Sequence, residues 1–465
     1  MDWNVLPPEL SQASEHLPAL ISAMEKKVPY ATALLARNGG LRVSVDHREQ
    51  QVTEMEPSTG LVLTAWNGSF LEEAATSHLA PQELRNLAAS FAGGIAVTAS
   101  GTPIDPGPTM QKHFATACQE DPTALSAKEK LDLCRELHSK VKGLDPQIVN
   151  VQVRYSEVLE SKAFANRVTR LSQNILRLRC VVVVYVSDGQ QMRYNWLIKG
   201  GTEGLETAQF SDEELRKLCE TAVALLSAEK PTPGMYDAIC TPDVAGVIAH
   251  EAFGHGVELD MFLKHRARAE EYLGKPVGSP LVNIIDDPSY PGGRGSYFFD
   301  DQGQLAAPTQ IIREGVFERG ISDLFSAHSL GVPRSANGRR ESFERKVYAR
   351  MSNTFFGRGD TPVATLIESV ERGMYLVSMS SGMEDPKGWG MQVTSHYGEE
   401  ILNGKLTGRL FSPVGITGYV PDILQSVSAV GDDFALTGGN CGKGHKEWAP
   451  VSSGGPHLRL KARLG

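Results

Sequence analysis

No Cys-x-x-Cys pair occurs among the six cysteines of this chain, which argues against a self-contained zinc cluster. No apolar run approaches the roughly 18 residues that a membrane span needs, so no membrane contact is expected. The N-terminal Met1-Asp2-Trp3-Asn4 has neither the basic start nor the apolar stretch of a signal peptide. Together with the unpaired spacing of the cysteines, this points to a reducing cytoplasm. Positive charge is in short supply: 46 Lys and Arg stand against 55 Asp and Glu, a net charge of -9. A surface that coats nucleic acid needs a basic stripe, so no direct nucleic-acid partner is expected. The grouping Arg334, Arg339 and Arg340 reads as a solvated loop. Phosphate-cradling loops are missing as well. Counting back from Gly442-Lys443, Thr437 stands where the first glycine of G-x-x-x-x-G-K-[ST] belongs, and Gly444 follows the lysine. Gly292-Gly293-Arg294-Gly295 does not complete G-x-G-x-x-G, so no ATP or dinucleotide site is assigned.

What is present is a chain of 465 residues, long enough for two or three domains with full-size cores. The pattern predicts an α+β, multi-domain protein. Its parts are an N-terminal α/β-type region over 1–105, an antiparallel α+β middle region over 106–230 and a large β-rich C-terminal domain over 231–465. In the first, 41–45 and 61–66 read as strands, and Pro81 opens a helix ending near Gly93-Gly94. In the second, a helix is expected over 127–141, then strands at 149–155 and 180–186. A partner at about 191–198 would close a hairpin around Asp188-Gly189. Ser211 and Glu214 make a capping box for a helix running to about 228. Thr102–Gly107 and Pro231-Thr232-Pro233-Gly234 read as boundaries.

The third region carries the chemistry. Thr241-Pro242-Asp243 reads as an N-cap, a proline at the first helical position and an acid in the first turn. Val244, Val247 and Ile248 form an apolar stripe, and about two turns in comes His250-Glu251-Ala252-Phe253-Gly254-His255. Imidazoles hold a divalent ion, and a carboxylate beside it can take a proton from metal-bound water. On an ideal helix His250 and His255 would point roughly 140° apart, while Glu251 and His255 would share a face. For both histidines to reach one ion the helix must distort or end between them, and Gly254 and Gly256 permit that. The other reading is a single hydrogen-bonded histidine and a chance match.

Among the cysteines, Cys219, Cys180 and Cys134 fall on apolar faces and read as core residues. Cys118 and Cys240 give no clear signal. Glycines surround Cys441, which leaves two readings open: a turn cysteine, or a group held close to an ion.

The hexapeptide resembles the TldD/PmbA metallopeptidases. So do the run Gly295-Ser296-Tyr297-Phe298-Phe299-Asp300-Asp301-Gln302-Gly303, the segment Arg350-Met351-Ser352-Asn353-Thr354, and the tail Gly439-Asn440-Cys441-Gly442-Lys443-Gly444 followed by Pro450-Val451 and Gly454-Gly455-Pro456. The resemblance implies zinc held by His250, His255 and Cys441, with Glu251 as general base. It further implies a catalytic, TldD-type subunit acting on unfolded or small peptides, as a homodimer or paired with a motif-less paralogue. One departure stands out: Gly444-His445-Lys446 replaces the Gly-Gln found in many relatives. The competing reading is a non-catalytic or regulatory subunit with a structural metal, its fourth ligand Glu258 or Asp260.

Other candidates carry two readings each. Glu258 orients His255 or is a surface carboxylate. Asp300 and Asp301 bind a substrate amine or position the metal loop, or else serve a turn. Lys443 lowers the thiolate pKa or is a surface charge. His396 and His445 are weak candidates for transition-state donors. Lys264–Glu271 reads as a mobile flap or a solvated helix.

Overall fold

The computed structural model of the chain describes residues 3–98, 101–443 and 446–465. The alternating segments of the first two regions are longer than expected, and they join in one seven-stranded sheet. Its order is Leu71–Thr76, Gln50–Trp66, Tyr30–Val45, Ile148–Ala165, Thr169–Ser187 and Met110–Ala115, with Met192–Lys199 also paired to Thr169–Ser187. Tyr30–Val45 hydrogen-bonds to Ile148–Ala165 from Ala33↔Ala165 to Val45↔Val153. The segment around residue 105 therefore connects strands of a single sheet. Odd-numbered positions of Tyr30–Val45, among them Ala31, Ala33, Leu35, Leu41 and Val43, face the helices Leu17–Met24, Pro81–Gly94 and Ala127–Lys142. Leu34 and Ala36 face the other way, onto Phe299 and Phe343 of the C-terminal region, as the two-residue period of a strand requires. The capping box of Ser211 and Glu214 is formed, but the α-helix stops at Ala224 and ends in a 3-10 turn over Leu225–Ser227.

Two large sheets, with a two-stranded ribbon of Gly338–Arg339 and Tyr348–Ala349, build the C-terminal region. In one, Arg372–Glu384, Gly234–Cys240, Leu458–Leu464, Val414–Tyr419 and Gly390–Leu402 pair in turn, and the last pairs back onto the first, closing five strands into a barrel. The other runs Val316–Phe317, Thr309–Arg313, Ile284–Asp286, Asn353–Phe356, Lys446–Gly455 and Ala435–Lys443. The architecture is thus α+β and multi-domain, β-rich toward the C-terminus. No helix among the described residues is long and apolar enough to cross a membrane.

The helix Pro242–Phe253 leaves the barrel strand Gly234–Cys240 and is buried at every residue from Val244 to Phe253. A helix apolar on nearly all sides belongs inside a core. Thr241 occupies the N-cap position, but its hydroxyl contacts Asp243 Oδ1 at 2.6 Å and the Leu376 carbonyl at 3.0 Å instead of accepting from the helix. Gly246 explains how close the helix lies to the second sheet. A Cβ there would come within 2.1 Å of the Gly454 nitrogen and 2.4 Å of its Cα. Backbone meets backbone at this point. Gly246→Ala is expected to push the helix off the strand and cost about 1–3 kcal/mol, read as a lower denaturant midpoint.

Two surface expectations are corrected. Lys264–Glu271 is not one continuous solvated helix. His265 adopts a positive φ of 50° that ends the short helix Leu259–Phe262, and Arg268–Tyr272 forms a 3-10 turn with Ala269 buried and the Arg268 N–H donating to the Pro386 carbonyl. Arg334, Arg339 and Arg340 are not a solvated loop either. Arg334 pairs with Asp300, Arg339 donates to the carbonyls of Met351 and Pro450, and Arg340 pairs with Glu73. Each guanidinium ties the loop to another part of the chain.

A buried ionic cluster joins the N-terminal sheet to this loop region. Lys162 Nζ lies 2.6 Å from Asp301 and 3.3 Å from Glu160, and Arg177 lies 3.7 Å from Glu160. Burial alone would raise the Glu160 carboxyl, but Lys162, Arg177 and Arg339 outweigh it and hold it at about 2. The folded value lies below that of the unfolded chain. The stabilisation is therefore full above pH about 4.5 and is lost as pH falls toward 2. Glu160→Gln is expected to lose about 3 kcal/mol at pH 7, with the gap to wild type narrowing below pH 4. Unfolding midpoints at pH 7 and pH 3 check this, and an unchanged gap would remove the carboxylate from the account.

Candidate metal centre

The helix ends between the two histidines. Gly254 is its C-cap, donating to the His250 carbonyl, and His255–Val257 continues as a 3-10 turn. A Cβ on Gly254 would lie 2.0 Å from Met351 Sδ, so only glycine lets the chain turn this close to the neighbouring segment. The turn brings the imidazoles of His250 and His255 to a centroid separation of 5.2 Å, nearly perpendicular at 86°.

Cys441 reaches them from the second sheet. It stands not in a loop but on the strand Ala435–Lys443, opposite Ala449 in a hairpin with Lys446–Gly455. That hairpin includes Gly454, the residue against which Gly246 packs, so the glycine contact sets the distance between helix and thiol. Cys441 Sγ lies 3.2 Å from His255 Nε2. Ligand atoms of His250, His255 and Cys441 all fall within 4.8 Å of one another. Burial alone would push the Cys441 thiol up, but His250 and His255 outweigh it and hold it down at about 4. His250 Nδ1 is buried without a protein partner. Two imidazoles, a low-pKa thiol and an orphaned ring nitrogen fit a borderline-soft divalent cation such as zinc.

Behind this trio lies a charged layer. Glu258, 1% exposed, sits 3.6 Å from His255 Nδ1, on the opposite edge of the ring from Cys441. Lys443 Nζ lies 2.9 Å from Glu258 and 2.7 Å from Asp260. Arg350 Nε lies 3.7 Å from Glu258, and Arg350 also donates to the Cys441 carbonyl at 2.8 Å. Burial would raise Glu258, but Lys443, His255 and Arg350 hold it at about 2. Glu258 is therefore a buried carboxylate facing His255. Lys443 is no surface charge, and the thiol's low value comes from the imidazoles. Glu258 and Asp260 are engaged by Lys443, and no carboxylate joins the three-residue cluster among the described residues.

The trio opens onto a cavity of about 840 Å³ whose wall also includes Glu251, Glu384, Trp196 and Arg179. Glu251 is 9% exposed on the same helix turn. The other expected residues are elsewhere. Asp300 accepts from Arg334 and from the N–H groups of Gln302, Gln304 and Gly338, so it shapes its own loop. Asp301 belongs to the ionic cluster with Lys162. His396 Nε2–H donates to the Tyr194 carbonyl, 2.8 Å away, and the ring packs on Trp196. His445 lies outside the described residues.

Two residues escaped the sequence reading. Arg350 lies in a segment that bears the family resemblance, yet nothing local assigned it a task. Glu384 ends the strand Arg372–Glu384, and both its carboxylate oxygens are buried without a partner. Burial raises it, and Glu251 and Glu258 add to that against the pull of His255, pushing it up to about 9. Its stretch, Met383-Glu384-Asp385-Pro386, reads as a surface turn, so no local signal marks it.

A helix bearing two imidazoles and a glutamate thus meets a strand thiol at the wall of one cavity. Residues 233–463 match the PmbA/TldA metallopeptidase C-terminal domain and residues 120–228 its central domain. A metalloprotease of Methanothermobacter thermautotrophicus is 31% identical over 461 residues, covering 96% of this chain and 98% of its own. A zinc metalloprotease TldD homolog of Saccharolobus solfataricus is 26% identical, covering 72% of this chain and 75% of its own. Among solved structures, a candidate modulator of a DNA gyrase from Thermotoga maritima superposes with a TM-score of 0.80 at 18% identity, over 98% of this chain and 100% of that one. TldE from Thermococcus kodakarensis gives 0.75 at 16%, over 97% and 100%. The chain belongs to the PmbA/TldD metallopeptidase family.

Proposed function

We propose that this chain is a zinc-dependent peptidase that hydrolyses peptide bonds of unfolded or small peptides. His250, His255 and Cys441 are its zinc ligands and Glu251 is its general base. The observation that carries the proposal is the convergence of two imidazoles and a thiol on the wall of the cavity that Glu251 also lines. Zinc, when bound, supplies Lewis-acid polarisation of water and carbonyl. Glu251 takes the proton from the attacking water and passes it to the leaving amine. Glu258 keeps His255 oriented through Nδ1, leaving Nε2 for the metal side. Three protein ligands with no carboxylate in fourth place match an open, catalytic site more closely than a closed, structural one. On this reading the chain is the TldD-type subunit, acting in the cytoplasm as a homodimer or with a motif-less paralogue.

The test is metal removal. Purified protein is expected to carry about one zinc per chain. It should lose cleavage of a small unstructured peptide on chelation and regain it when zinc is returned. Zinc bound without any cleavage would favour the structural-metal alternative.

A further inference from the structure

Beside the metal cavity lies a second hollow of about 280 Å³, lined by Arg179, Arg294, Lys199, Thr207, Leu436 and Gly438 among others. Arg179, Ile198, Thr437 and Gly438 line both spaces, so the two adjoin. The cations in the smaller one are poorly compensated. Lys199 pairs with Glu214 at 2.8 Å. No ion pair to a carboxylate is formed by Arg179 or Arg294 among the described residues, and no Asp or Glu lines this hollow. Arg294 is 7% exposed, and its one side-chain hydrogen bond goes to the Leu178 carbonyl at 3.3 Å. The Nε atoms of both arginines are buried without a partner. Close behind stands Arg177, whose own carboxylate, Glu160, is shared with Lys162.

A buried guanidinium left without an anion, as at Arg294, is costly and is ordinarily paired. Here its charge, with that of half-buried Arg179, faces a space that adjoins the candidate active site. Resting on the peptidase reading, we propose that Arg179 and Arg294 form a carboxylate-binding subsite for the peptide substrate. The carboxylate is that of the C-terminus or of an Asp or Glu side chain. Guanidinium forks match carboxylates in shape and charge, which suits them to this task.

The strand Ala435–Lys443 runs past both groups. A Cβ on Gly438 would lie 2.8 Å from Arg294 Cδ, and Cys441 is three residues further along the strand. Their side-chain directions fall on opposite faces of the strand, yet residues 438 to 441 all line the metal cavity. At about 3.3 Å per residue the two backbone positions lie roughly 10 Å apart. The enzyme would thus favour peptides that carry a carboxylate near the cleaved bond.

The experiment compares one neutral pentapeptide in three forms: free C-terminal acid, C-terminal amide, and amide with Glu as the last residue. Cleavage is followed as kcat/KM, with products identified by mass spectrometry. Wild type is expected to prefer either acidic form over the neutral amide by about 10- to 100-fold. The preference should collapse to about twofold or less in Arg179→Gln and in Arg294→Gln. The arm that gains, free acid or Glu-amide, tells which carboxylate is read. Arg294 is deeply buried; should its variant not fold, the half-buried Arg179 carries the test. Equal cleavage of all three forms by wild type, or a preference that survives Arg179→Gln, overturns the subsite and leaves the peptidase intact. If none is cleaved, the peptidase reading fails. Binding of the same fluorescein-labelled peptides to Glu251→Gln protein then decides the subsite alone: tighter binding of an acidic form supports it, and equal binding overturns it.

Discussion

Glu251→Gln is expected to keep its zinc and to lose peptide cleavage by about 100- to 10,000-fold. Gln has nearly the volume of Glu, so the packing of the buried helix is preserved. His250, His255 and Cys441 keep their positions, because the glycine contact between Gly246 and Gly454 and the turn at Gly254 set them. What is lost is a proton acceptor on the cavity wall. Steady-state kinetics alongside metal analysis by mass spectrometry separate the two effects. Cleavage near the wild-type rate in purified protein would refute the role of Glu251 and turn attention to Glu384, another carboxyl on that wall.

Cys441→Ala and His250→Ala are each expected to lower zinc content by an order of magnitude or more and to abolish cleavage with it. Either change leaves two ligands of three. The cysteine variant should still fold, since Arg350 holds residue 441 through its backbone carbonyl and the hairpin pairs on both sides of it. A far-ultraviolet spectrum of the chelated wild type supplies the reference for folding. Zinc at about one per chain in Cys441→Ala would break the proposed ligand set outright.

Much of this protein was legible from local chemistry. The two-residue period located the strands, although their full lengths, 16 and 17 residues for the first pair, exceed what the alternation marked. The polar start of Gln50–Trp66 hid half a strand that pairs with Gly40–Val45 and packs Val52 against the core. Capping chemistry at Ser211 and a proline at the start of the metal helix placed helices closely. The histidine spacing required a break in that helix, and the break is there. By contrast, the arginines at 334, 339 and 340 looked like a solvated loop, and the acids at 300 and 301 like substrate-binding, metal-loop or turn residues. Their partners are Glu73, Lys162 and other groups far off in sequence, so no window of neighbouring residues could reveal them.

The residue types at the site, and the helix that carries two of them, follow from short-range physics: apolar periodicity, a proline at its start, glycine where the chain must turn. The meeting of Cys441 with His255, 186 residues apart, does not. It depends on a helix and a hairpin touching backbone to backbone at Gly246 and Gly454. The burial that orphans Glu384, and the charge left uncompensated at Arg179 and Arg294, are likewise products of packing. Each arises because the chain's own fold withdraws water from an ionisable group and offers no counter-ion in return.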